Sequence, residues 1–131
     1  MNDDEIRLVL PAIPAYARVA RLTVAGLATR LGFSYDEVED LRIAVGEACS
    51  ILMSGPGGSG SAGPIAAPDA VTGRLTVLYR IRADALEIEA STDPAEPLVV
   101  GELTDQILAA VVDEHEIESG AHRVLLLKHH G

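Results

Sequence analysis

The chain of 131 residues has one cysteine, no tryptophan and only four aromatic residues, Tyr16, Phe33, Tyr35 and Tyr79. A lone Cys49 excludes an intrachain disulfide and a cysteine-based zinc site. So few rings leave the core to Leu, Val, Ile and Ala. Basic residues are also scarce: Lys plus Arg total 10 against 20 Asp plus Glu, a formal charge of -10. Such a surface is repelled by phosphate backbones, which argues against direct DNA or RNA binding and for a basic protein as partner. No apolar run approaches the roughly 18 residues of a membrane span. Residues Met1 to Glu5 are acidic where a signal peptide carries positive charge. The expectation is a soluble, cytoplasmic protein with one domain over residues 1–131, bound neither to membrane nor to nucleic acid.

What is present is a globular pattern, 48% hydrophobic and 23% charged. Glu5 to Leu10 alternates as a strand ended by Pro11. Pro14 suits a first helical turn, and Ala20, Val24, Leu27 and Leu31 continue at helical spacing to a C-cap at Gly32. Ser34 and Glu37 form a capping-box pattern opening a second helix to about Met53, with an apolar stripe of Val38, Leu41, Val45, Ala48 and Leu52. Gly55 to Gly73, rich in Gly, Pro, Ser and Ala, reads as a flexible surface loop. Its start, Gly55-Pro56-Gly57-Gly58-Ser59-Gly60, matches G-x-G-x-x-G. A helix precedes it and none follows, however, so the dinucleotide context is missing.

Arg74–Arg82 and Ala85–Ala90 alternate as a β-hairpin, and Thr92–Pro97 is a turn. A third helix is predicted over Glu102–Val112 with Leu103, Ile107, Ala110 and Val111 inward. Glu114–Glu118 and Arg123–Lys128 form a second hairpin. The order β-α-α-β-β-α-β-β implies an α+β two-layer sandwich, helices on one face of a mainly antiparallel sheet. Cys49, between apolar neighbours, reads as a buried structural thiol. Asp113-Glu114-His115-Glu116 does not converge on a metal, and His129-His130 reads as an exposed tail.

Three stretches resemble one family: Ala20–Ala25, Asp40-Leu41-Arg42-Ile43-Ala44-Val45-Gly46-Glu47-Ala48, and Val111–Glu114 followed by a strand ending Leu127-Lys128. They are similar to the bacterial anti-sigma-factor serine kinases, a branch of the GHKL (histidine kinase-like) ATPase superfamily. The second stretch resembles that family's L-x-x-A-V-x-E-A-x-x-N helix. The resemblance implies a GHKL (Bergerat-like) fold. It implies phosphoryl transfer from Mg-ATP to a serine of an antagonist, which needs a carboxylate base and a magnesium ligand. It also implies a sigma factor and an anti-anti-sigma (STAS-type) protein as partners, and a homodimer.

Set against that pattern, Glu47 stands at the position of the general base. Ile51 replaces the magnesium-binding Asn and has no oxygen for a hard cation. The D-x-G-x-G box is replaced by Ser91–Pro97, where Asp93 either matches the adenine-contacting Asp or stands one residue out of register. In the second glycine box, Glu102 and Thr104 occupy the glycine positions. Glu47 is then read as a solvated helix carboxylate, catalytic only if kinase activity survives. No cofactor is expected, and no metal; Mg-ATP enters only with the kinase reading. The actinobacterial branch of the family includes such eroded sites, and this chain is similar to it. Arg21 matches an arginine with which the family contacts sigma factor and antagonist, and Arg18 lies near it with a looser match; each has a plain alternative as a solvated helix arginine. The expected function is sequestration of an alternative sigma factor, relieved by the antagonist. The alternatives are an active serine kinase and a non-catalytic partner-switching adaptor.

Overall fold

The computed structural model describes residues 4–58, 73–93, 100–118, 120 and 122–129. Strand β1 (Asp4–Pro11) leads through a short 3-10 turn (Pro14–Tyr16) into helix α1 (Ala17–Arg30) and helix α2 (Tyr35–Gly58). Strands β2 (Arg74–Ile81) and β3 (Ala85–Asp93), helix α3 (Glu102–Val111), and strands β4 (Glu114–Glu118) and β5 (Arg123–His129) complete the order. It is the expected α+β sandwich, with all strand pairs antiparallel and the sheet ordered β1-β2-β3-β5-β4.

Period-two alternation sets the layers. Leu75, Val77 and Tyr79 of β2, Leu86, Ile88 and Ala90 of β3, and Val124 and Leu126 of β5 are buried toward the helices. There they meet Ala17, Ala20, Val24 and Ala28 of α1 and Leu41, Val45, Ala48, Cys49 and Leu52 of α2. Small residues on α1 let it lie close to α2. Tyr79, the largest buried side chain, keeps its hydroxyl satisfied by donating to the Ala20 carbonyl (3.0 Å). Cys49 is fully buried, and burial pushes its thiol up to about 11, Arg21 pulling weakly the other way.

The helix boundaries follow local chemistry. Ser34 and Glu37 make the reciprocal capping box: the Glu37 amide donates to Ser34 Oγ (3.1 Å) and the Ser34 amide to Glu37 Oε1 (2.7 Å). Gly32, with φ of 91°, takes the left-handed conformation that ends α1. Lys128 Nζ ties the layers, donating to the Val111 carbonyl (2.9 Å) and Asp40 (3.4 Å), and Asp113 accepts the His129 amide (2.6 Å).

Four sequence expectations are corrected. First, α2 continues through Gly58, so residues 55–58 belong to its end and not to the loop. Residues 59–72, the rest of that segment, lie outside the described residues. Second, β3 reaches Asp93 because Arg74–Thr76 supply a partner for Ser91–Asp93; only residues 94–99 of the expected turn remain, outside the described residues. Third, α3 is anchored by Leu108, fully buried, whereas Leu103 is 68% exposed and Ala110 is exposed. The inward line is Thr104, Leu108 and Val111, with Val112 just beyond. Fourth, the expected first helix begins as a 3-10 turn over Pro14–Tyr16, and α1 proper starts at Ala17. Among the described residues no helix is long and apolar enough to cross a membrane.

Candidate functional site

The capping box fixes the start of α2, and the apolar stripe then fixes its rotation, leaving Glu47 partly buried on the flank that faces α3. Its carboxylate is not open to solvent on all sides. Thr104 Oγ1, from the first turn of α3, donates to Glu47 Oε2 at 3.1 Å. One oxygen of the Glu47 carboxylate is thus engaged within the chain. The sequence placed Thr104 on a glycine position without foreseeing this contact. With 57 residues between the partners, no local spacing signals it.

One turn after Glu47, Ile51 is 4% exposed. Burial of a branched aliphatic side chain gives that part of the helix no oxygen with which to meet a cation. Asp93 ends β3, is exposed, and lies opposite Arg74 in the sheet register. Neither a hydrogen bond nor an ion pair joins it to Glu47 among the described residues. Nor does any group of three or more His, Cys, Asp or Glu side chains among them converge to hold a metal.

Arg21 sits elsewhere. Its aliphatic stem lies across α2 at Gly46, where an added Cβ would come within 3.2 Å of Arg21 Cδ. The glycine beside Glu47 therefore serves the packing of α1 on α2. Arg21 is partly buried, and among the described residues its guanidinium has no hydrogen bond or ion pair. Arg18 is exposed on the same helix. Around them Tyr16 at the end of the 3-10 turn (40% exposed) and Val19 (37%) and Leu22 (57%) of α1 present apolar surface to solvent. The structure therefore separates the expected site residues. Glu47 lies between α2 and α3, where it meets Thr104, Asp93 stands at the end of β3, and Arg18 and Arg21 are carried by α1.

No family model matches the chain. Among curated proteins it is similar to the serine-protein kinase RsbW of Bacillus subtilis (strain 168), 30% identical over 131 residues, 99% of this chain and 82% of that protein. It is also similar to the protein of the same name from Listeria innocua, 40% identical over 88 residues, 67% of this chain and 50% of that one. Among solved structures, that of the RsbU and RsbW domains of a Mycobacterium tuberculosis protein superposes with a TM-score of 0.65 at 17% identity. It covers 97% of this chain and 32% of that one, and at this identity the likeness speaks for the fold alone. Identity over almost the full length, the second-helix motif and the shared fold agree: the chain belongs to the RsbW family of anti-sigma serine-protein kinases within the GHKL superfamily.

Proposed function

We propose that this protein is an anti-sigma factor that acts by binding. It sequesters an alternative sigma factor of the general-stress or sporulation class and is released when an anti-anti-sigma (STAS-type) protein competes for an overlapping surface that includes α1. The observation that carries this reading is Arg21: a partly buried arginine whose stem is seated on Gly46 and whose guanidinium has no partner among the described residues. An arginine held in place by its stem loses little entropy when it meets a carboxylate, and such anchors beside exposed apolar residues dominate many interfaces. Tyr16, Val19 and Leu22 supply that apolar surround, and Arg18 a second cation.

Magnesium-ATP does not fit the residues present. Ile51, buried, offers a cation no ligand at the position where the resemblance expects an asparagine. No step of the proposed mechanism runs through nucleotide. Competition requires only that the antagonist bind the α1 face more tightly than sigma factor does. A homodimer formed through the β1 edge and the α1 side belongs to the same proposal.

The test is inhibition of sigma-dependent transcription by the purified protein. Arg21→Ala is expected to weaken sigma binding by about 30-fold or more, the effect of a hot-spot arginine, with an unchanged circular dichroism spectrum. Antagonist binding without any inhibition of transcription would instead identify an adaptor, and phosphate on an antagonist serine that disappears in Glu47→Ala would identify a kinase.

A further inference from the structure

Strand β4 closes the sheet on the side opposite β1. It pairs with β5 along one edge only, and among the described residues no strand pairs with its other edge. Alternation along β4 sends His115 and Ile117 toward the helices and Glu114, Glu116 and Glu118 to the open face of the sheet. Glu118 is taken by Arg123, which donates to it. Glu114 and Glu116 are exposed and have no hydrogen bond or ion pair among the described residues. Beside them lie Leu125 and Leu127 of β5, partly buried, with Glu87 of β3 beyond. With His115 and Leu126 these residues line an open cavity of about 290 Å³; Glu87 is already paired with Arg80 and Arg82, which leaves Glu114 and Glu116 as its unpaired carboxylates among the described residues. On the inner side His115 and Asp105 of α3 are hydrogen-bonded at 2.8 Å, which fixes the strand against the helix layer.

We infer that the free edge of β4 is a docking site for an extended basic segment of a partner protein. The segment adds as a strand to β4 and places two Lys or Arg side chains against Glu114 and Glu116. Two arguments select this occupant. An open strand edge gives main-chain hydrogen bonds to any extended chain, so affinity needs no special sequence. The carboxylates two residues apart match the period of an added strand, so basic residues at alternate positions meet both. A second copy of this chain is disfavoured, because pairing two β4 edges sets glutamate against glutamate. This inference concerns the edge opposite β1 and stands apart from the α1 face and from the Glu47 region.

The experiment is a titration of the isotopically labelled full chain, followed residue by residue by NMR. The probe is a synthetic eight-residue peptide alternating Lys and Val, with a peptide of the same composition in blocks as control. The expected result is perturbation centred on residues 113–118 and 125–127, with tighter binding of the alternating peptide. The double variant Glu114→Lys, Glu116→Lys is exposed at both positions and keeps the fold. It is expected to bind about 10–30-fold more weakly, the loss of two exposed charge pairs together with reversal of their sign. Equal affinity for the block peptide would reduce the effect to general attraction between opposite charges and overturn the proposal. Perturbation at β1 or α1 would overturn it as well, as would a dimer in sedimentation that Glu116→Pro abolishes, since the edge would then belong to a second copy.

Discussion

Replacing Ile51 by asparagine restores the residue type that the family uses to hold magnesium, and it asks whether a polar pocket exists there at all. Ile51 is 4% exposed. Removing a buried branched side chain forfeits roughly 1.5–3 kcal/mol of transfer free energy, and an amide left in its place without partners costs about 1–3 kcal/mol more. The sum, about 2.5–6 kcal/mol, is a large share of the ~5–15 kcal/mol that stabilises a typical domain. At roughly 3–5 °C per kcal/mol for a chain of this size, the melting temperature should fall by about 8–30 °C. Urea and thermal unfolding followed by circular dichroism measure this, with Ile51→Val as a control expected to lose only about 1 kcal/mol. Addition of Mg-ATP should leave the midpoint of Ile51→Asn where it is. Were the asparagine variant within about 1 kcal/mol of the parent, or stabilised by Mg-ATP, position 51 would border a solvated polar pocket. The reasoning from its burial would then be refuted.

Three further outcomes follow from the packing and the charges. Tyr79→Phe removes the buried hydrogen bond to the Ala20 carbonyl and should cost about 1 kcal/mol in a denaturant melt; no loss would mean that the bond does not form in solution. Burial alone would raise the Glu89 carboxyl, but hydrogen bonds and charges from Arg80 (2.7 Å) and Arg123 (3.3 Å) outweigh it and hold it below its ordinary value of 4.5. A depressed folded value gives stability that is full above the ordinary value and lost as pH falls through the folded one. Glu89→Gln should therefore be less stable than the parent at pH 7, and the gap should narrow below about pH 4.5; a gap constant with pH would contradict the assignment. Cys49, its thiol pushed up to about 11, should resist a thiol reagent at pH 8 until the chain unfolds, and rapid modification of the native protein would count against its burial.

The parts of the molecule legible in the sequence are those whose chemistry is local. Ser34 and Glu37 are three residues apart, so the capping box and the α2 stripe behind it can be read without any tertiary information, and the structure reproduces both. The β2–β3 hairpin was legible for the same reason. Asp93 was assigned to a turn because its strand character comes from Arg74 on the neighbouring strand. The face of α3 was misjudged because Leu103 and Leu108 are equally apolar. Only the position of α2 and the sheet decides that Leu108 is the one buried. In the candidate site, the motif around Glu47 and the substitution at Ile51 were plain in the sequence. The Thr104–Glu47 hydrogen bond and the seating of Arg21 on Gly46 depend on how helices pack, and emerge only in three dimensions.

The central claim is that this member of the RsbW family works by binding and not through nucleotide. Calorimetric titration of the purified protein with Mg-ATP and Mg-ADP, carried to millimolar concentration, tests it most directly. The account predicts no saturable heat with either nucleotide. Saturable binding that Glu47→Ala leaves intact, together with transfer of phosphate to an antagonist serine that the same variant loses, would contradict it and establish a working kinase.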